Sequence, residues 1–406
     1  MTPPSVERPP ADSRTRFAGC GRVPALAVLV LTAVATGWCV WVALTQEILP
    51  PKAEAGSPPT GSSARTDGRG DSDFYRTIVG RVRAGDNYYD AVAEELRERG
   101  YAPHSTFNWR TPLYAWLFGK LPSRVWGQVL LGMGALTTAF LACRVLCLGG
   151  GEGRAVACLV LLLGPFAWCA VADVCLFTEL WAGMLIALSV CAYALGRWRL
   201  AVAAGLAALF FRELALPYCA ICLGLACRQR RRGEVSWWLA GVAMYVCFMT
   251  FHAMEAARRI MPTAGPDAPG WVRFGGTAFV LLTTQINYFL IVSPSWVAAV
   301  YLPLSLLGLA AWPGTNGVRA GLTAAAFVAA FTVIGIKPHN AYWGLLYAPL
   351  LPLGLVWVPA ALRDLWRERV RSQGSKGTGH QALTPPPQFL PQRRRSRDRT
   401  ARQSGA

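Results

Sequence analysis

The sequence predicts an all-α fold: a polytopic transmembrane helical bundle of about nine to eleven membrane helices, with an extracytoplasmic first loop that contains amphipathic helices. Three observations carry that prediction. Hydrophobic residues make up 53% of the 406 and charged residues only 15%. The apolar residues fall in runs near the ~20 needed to cross a bilayer as a helix. The 40 Lys and Arg outnumber the 22 Asp and Glu, and the excess sits near the two ends of the chain and in short loops, as the positive-inside rule expects of cytoplasmic segments.

Residues 1–22 are polar and basic, which predicts a disordered cytoplasmic N-terminus. The first apolar run, 23–44, follows Arg14, Arg16 and Arg22, a pattern shared with signal peptides. It is as long as a full span, and its exit, Gln46-Glu-Ile-Leu-Pro-Pro, offers no small-residue cleavage site, so an uncleaved first helix is expected. The loop 46–110 comes next, with a Pro/Gly/Ser-rich spacer at 50–70. It then reads Asp71-Ser-Asp73-Phe-Tyr75 and closes with Phe107-Asn-Trp109-Arg110-Thr-Pro112. Asp86, Asp90, Glu94 and Glu95 fit the solvated face of an amphipathic helix within it.

Apolar runs at 125–146, 155–171 and 177–195 follow, then a stretch at 200–227 between two basic groups, Arg197-Trp-Arg199 and Arg228 to Arg232. Both groups belong in the cytoplasm, so the stretch is expected to hold two short helices that meet at Arg212-Glu213 on the far face. Residues 237–251 form another span. The run 274–293 carries Thr283-Thr-Gln-Ile-Asn287-Tyr288 and ends at Pro294, the signature of an element that dips into the outer leaflet without crossing. Runs 297–312, 320–336 and 341–362 complete a transmembrane domain of 23–362, and 363–406 is expected to be a basic disordered cytoplasmic tail.

A net charge of +18 would raise nucleic acid as a partner in a soluble protein. Here the basic groups are accounted for by topology and by attraction to anionic lipid, so no nucleic acid is expected. Of the twelve cysteines, all but Cys20 lie in or beside apolar runs and read as small hydrophobic residues; Cys219 and Cys222 form a C-x-x-C with no second pair or His at zinc spacing.

The same parity brings three polar clusters to one face: Asp71 and Asp73 with Arg110, Arg212-Glu213, and Lys337-Pro-His339-Asn340-Ala-Tyr342. Asp173 and Glu179 flank another outer turn and could add acid to the pocket, with simple loop placement the favoured reading; His104 reads as a surface histidine and His252 as interfacial. Trp109, Trp116, Trp126, Trp271 and Trp296 fall near span ends, where Trp is expected as an aromatic belt. A carboxylate in such a pocket can act as general base on an acceptor hydroxyl. Arg, Lys and His can hold a phosphate whose charge grows as it leaves. That combination suits glycosyl transfer from a lipid phosphate.

The order of a first helix, Asp-x-Phe-Tyr, Arg-Ala-Gly85-Asp-Asn-Tyr88-Tyr and an aromatic-Arg-Thr-Pro element resembles the GT-C superfamily of polytopic membrane glycosyltransferases. Phe211-Arg212-Glu213, Ile291-Val-Ser-Pro294-Ser-Trp296 and Lys337 to Pro349 are similar to later motifs of the same superfamily. The resemblance implies a mannosyltransferase-like hexosyltransferase in which Asp73, or failing it Asp71, is the base. It makes Arg212, Lys337 and His339 candidates for the phosphate of a polyprenyl-phosphate sugar. Glu213 would orient Arg212, while Trp109, Arg110, Asn340 and Tyr342 would contact sugar or acceptor.

The first-loop motif lacks the Asp-Glu doublet of the lipid-modifying and protein-modifying branches, which leaves the substrate class open. The implied partners are a lipid-linked sugar donor, a glycan, lipid or protein acceptor and the membrane lipids. The cofactor is open, with a hard divalent cation between Asp and phosphate as its plausible form. The implied location is a bacterial plasma membrane, with the site on the periplasmic or extracellular face. The main competing expectation is a polytopic lipid or solute transporter or flippase, which would often show internal repeats; none is evident in this sequence. A second is a non-catalytic membrane scaffold.

Overall fold

The first helix, α1 (Arg22–Thr45), begins directly after Gly21, whose φ of 81° suits glycine, and presents Leu31 and Leu44 almost bare, Leu44 at 70% exposure. Such apolar faces need a partner other than water. The structure is a computed structural model that describes residues 14–46, 48, 71–99, 109–149, 151–260, 274–335 and 338–371. Among them there is no strand.

After α1 come α2 (Asp71–Ala84), α3 (Tyr88–Glu98) and α4 (Leu113–Lys120), then α5 (Arg124–Leu148), α6 (Glu152–Phe166), α7 (Thr178–Ala194), α8 (Trp198–Phe211), α9 (Leu216–Arg228) and α10 (Arg232–Ala257). The short helices α11 (Gly276–Thr284) and α12 (Tyr288–Ile291) precede α13 (Ser295–Ala311) and α14 (Gly314–Val333). A 3-10 segment, Pro338–Leu346, leads to α15 (Leu351–Leu355) and α16 (Val358–Arg371).

Among the described residues, five helices are long and apolar enough to cross a membrane: α1, α5, α6 with the 3-10 turn that extends it to Ala170, α10 and α14. The bent pair Asn340–Leu355 and Val358–Val370, meeting at 54°, makes a sixth if it is one span. By length this is fewer than the nine to eleven expected. The shortfall has a geometric cause. The apolar helices α7, α8 and α13 are present but short; the 14 residues of α8 rise about 21 Å against a hydrocarbon core of ~30 Å. The chain has the make-up of a membrane protein, with α7 buried on nearly every side at its centre.

Contacts sort the helix ends into two groups. At the basic end, the Arg16 guanidinium donates to the carbonyls of Trp312 and Gly314, and Gln229 reaches Thr315. Arg154 stacks on Trp357 there, and Arg319 on Tyr193. At the opposite end, Ser295 donates to the carbonyl of Ala43, Gly275 to that of Thr332, and Arg259 pairs with Asp90. This is the alternation that the basic loops predict. The α8–α9 hairpin turns at Arg212-Glu213 as expected. The run 274–293 is broken at Asn287, whose side chain caps α12. Its two pieces both stay near the non-basic end, α11 against the end of α14 and Tyr288 against Trp168.

The described structure passes both expected domain boundaries. Helix α16 carries the fold to Arg371, and residues 14–21 are docked, with Thr15 donating through N and Oγ1 to Asp364. The basic stretches read as tails because they lack apolar runs; the carboxylates of α16, Asp364 buried and Glu368 partly exposed, supply partners that a hydropathy pattern does not show. Glu95 departs from its expected solvated face as well, lying buried in an ion pair with Arg99.

Candidate active site

Helix α2 starts at Asp71, so Asp71 and Asp73 share its first turn. Residues two apart on a helix point in different directions, and here that separates them completely. The Asp73 carboxylate accepts from Arg76 at 2.8 Å and from Arg99 at 2.9 Å. Burial pushes its carboxyl up, but the hydrogen bonds from Arg99 and Arg76 outweigh it and hold the group below the usual carboxylate range. Arg99 in turn holds Glu95 and lies over the Phe74 ring. Asp73 is therefore bound into the α2–α3 layer.

Asp71 faces the bundle. Tyr342 donates to its Oδ2 at 3.3 Å. Burial raises its carboxyl above the usual range, with Arg110 pulling the other way and nearby Glu179 adding to the rise. It keeps partial exposure, so it can be reached.

Arg110 sits between the loop and the bundle. Its Nε donates to Tyr75 at 2.9 Å and its Nη2 to Tyr342 at 2.8 Å, two of the five N–H groups of a guanidinium. Among the described residues no carboxylate forms an ion pair with it. Burial alone would favour losing the proton, but the electrostatics of Tyr75, Tyr342, Glu179 and Glu213 hold the group firmly charged. Its backbone is fixed from two sides. Tyr88 donates to the Arg110 carbonyl, and His252, fully buried on α10, meets the Trp109 carbonyl through Nε2 at 2.9 Å and Tyr89 Oη through Nδ1 at 3.2 Å. A carbonyl only accepts, so Nε2 carries the hydrogen.

Arg212 ends α8 and is 2% exposed. Its Nε lies 2.9 Å from Glu179, which is 0% exposed in the first turn of α7, and its Nη1 lies 2.8 Å from Glu213. The neighbouring Phe177 ring packs edge-on against Tyr342 and Tyr75, at centroid distances of 5.0 and 5.4 Å. Thr111, next to Arg110, donates to the carbonyl of Phe211, next to Arg212. The charged hairpin tip and the loop arginine are thereby tied together.

Tyr342 comes from the 3-10 segment, which two glycines clamp in place. A Cβ on Gly344 would lie 1.8 Å from the Thr283 carbonyl oxygen, and one on Gly183 would lie 1.9 Å from that of Leu345. Only glycine allows backbone to approach backbone this closely. Asn340 and Trp109 are both buried. Lys337 lies outside the described residues, and so does the side chain of His339.

No protein-family model, curated protein or solved structure matches this chain. The site must be judged on its own groups. The structure brings together Asp71, Arg110, Arg212, Glu213 and Tyr342, and turns Asp73 aside. It adds four residues: Glu179, which the sequence offered as an acid for the pocket but which reads more simply as a loop residue; His252, read as interfacial; and Tyr75 and Tyr88, to which sequence reasoning gave no role. A carboxylate opening an otherwise apolar 17-residue helix was the available signal for Glu179, since such a group is costly without a partner. Among the described residues no three His, Cys, Asp or Glu side chains cluster in a way that could hold a metal ion. A divalent cation here would rest on Asp71 and on oxygens of the substrate.

Proposed function

We propose that the chain is a membrane glycosyltransferase of the GT-C kind, moving a sugar from a polyprenyl-phosphate donor to an acceptor hydroxyl at the end of the bundle where Asp71 lies. The observation that carries this reading is the chain Asp71–Tyr342–Arg110: a reachable carboxyl of raised pKa, linked through one phenol to a cation with no ion-paired carboxylate among the described residues. A base works best when its pKa approaches the working pH. A guanidinium whose nearest partners are phenols can still meet a phosphate through paired N–H groups.

In the proposed reaction, Asp71 takes the acceptor hydroxyl proton as that oxygen attacks the anomeric carbon. The bond from that carbon to the phosphate oxygen breaks, and the electron pair leaves with the polyprenyl phosphate, beside Arg110. Asp71, rather than Asp73, is the base in this reading because both Asp73 oxygens already accept from arginines. Arg212 is matched by Glu179 and Glu213, so its part is to shape the pocket wall. The exposed apolar faces of α1 and α5, where Leu136 is 73% exposed, suit a bilayer and the donor's polyprenyl tail. With the basic end in the cytoplasm, the site would open on the extracytoplasmic side.

The test is bond formation by the purified chain in proteoliposomes supplied with labelled polyprenyl-phosphate mannose and a panel of glycan, lipid and peptide acceptors. The expected product is a labelled acceptor together with free polyprenyl phosphate. Movement of intact lipid or solute across the bilayer, with no product on any acceptor, would replace this reading by a transporter.

A further inference from the structure

Helix α16 leaves the preceding segment at 54° and packs one face, including Ala361, Asp364 and Leu365, against the fold. Its remaining surface is sorted by chemistry. Leu362, Trp366 and Val370 stand at i, i+4 and i+8, forming one stripe, and they are 40%, 57% and 52% exposed. Arg363 and Arg367 flank the stripe on one side and Arg369 on the other, the last with its guanidinium 4.8 Å over the Trp366 ring.

The helix carries two carboxylates, and both are turned away from that surface. Asp364 accepts from the Thr15 N–H and hydroxyl at 2.9 Å, and Glu368 accepts from the Gly19 N–H at 3.0 Å. Residues 14–21, together with Arg363 at 3.2 Å from Asp364, thus engage both carboxylates of α16 on the side away from the stripe, whose two flanks carry arginines. All of this stands at the basic end, where Arg22 opens α1. An apolar stripe bearing a Trp and lined by arginines is the pattern of a helix that lies in the headgroup zone of a membrane.

We propose that α16 seats on the bilayer surface at the basic end, with Leu362, Trp366 and Val370 entering the acyl boundary and Arg367 and Arg369 binding the headgroups of anionic phospholipids. The charge arrangement commits the occupant to an anionic lipid surface: an acidic protein partner would not need a membrane-inserting stripe, and a second copy of α16 would set arginines against arginines. The proposal does not depend on the chemistry at Asp71.

The experiment places an environment-sensitive fluorescent amino acid in place of Val370, which avoids the exposed thiols of Cys147, Cys227 and Cys247. The full chain is reconstituted in vesicles of phosphatidylcholine alone or with added phosphatidylglycerol. Expected are blue-shifted emission and quenching by doxyl-labelled lipid, both growing with phosphatidylglycerol. The Arg367→Gln/Arg369→Gln variant should weaken seating about five-fold per arginine, since each basic residue near an anionic surface contributes about 1 kcal/mol. Trp366→Ser should lose the quenching. Water-like emission in both vesicles overturns the proposal, and equal seating in both overturns the role of anionic headgroups. Shielding that follows protein concentration in detergent assigns the face to a second copy.

Discussion

Asp71 and Asp73 are two residues apart, yet their environments give them opposite titration behaviour. Asp73 is held low by Arg99 and Arg76, so its contribution to folding is present above its unfolded pKa and fades as pH falls through the lowered folded value. Asp71 is raised, so the folded state favours its protonated form, and that contribution fades as pH rises through the folded value. A base must be deprotonated to work. The pH profile of kcat/KM should therefore show a rising limb above the ordinary aspartate value of 3.8, and a flat profile across the acid range would argue against Asp71. The buried Arg212–Glu179 pair is a second residue-scale test. Glu179→Gln leaves a buried guanidinium with a weaker partner and should destabilise the fold by up to about 3–5 kcal/mol, whereas replacing both residues by Leu or Met should be far milder. Thermal unfolding of the single and double variants measures the difference. His252 reaches the site through the Trp109 carbonyl and Tyr89. His252→Ala is expected to raise KM for the donor more than it lowers kcat, with partial rescue by His252→Gln, whose amide can still donate.

At the scale of elements, the sequence made some junctions plain and hid others. The hairpin tip at Arg212-Glu213 followed from two basic groups that both needed one side, and the break at Asn287 followed from polar residues within an apolar run. Gly85, with its φ of 104°, and Asn87, which caps α3, likewise mark the turn between α2 and α3 in the sequence itself. What the sequence could not show is where side chains point once elements pack. The division between Asp71 and Asp73 depends on Arg99 from α3 and Tyr342 from a segment far along the chain. The placing of Tyr342 depends on Gly183 and Gly344, which look unremarkable in an apolar run. Gly344→Ala should push the 3-10 segment off Thr283, costing about 1–3 kcal/mol as overpacking does and lowering activity beyond the loss of stability, because Tyr342 moves with it. Full activity in a correctly folded Gly344→Ala protein would show that the clamp does not set the site.

For the whole molecule, the exposed apolar helices are those of a membrane protein, and in the proposed reading the excess of arginine over carboxylate at one end sets that end in the cytoplasm. Accessibility labelling of single cysteines in intact cells checks the direction: positions 86 and 90 should react from outside, and positions 230 and 369 only after permeabilisation. The all-helical class and its long apolar helices were legible because hydropathy and charge report on solvent, which acts on long runs of residues at once. The lengths of α7 and α8 were not, because buried helices answer to neighbouring helices as well as to the bilayer. The central claim is that Asp71 is the base of a sugar transfer at the non-basic end. The most direct measurement is the rate of transfer from labelled polyprenyl-phosphate sugar by the wild-type chain, Asp71→Asn and Asp73→Asn, each verified as folded. Loss of about 10²- to 10⁴-fold for Asp71→Asn, the usual worth of a general base, with most activity kept by Asp73→Asn, is the predicted result. Undiminished transfer by Asp71→Asn would contradict it.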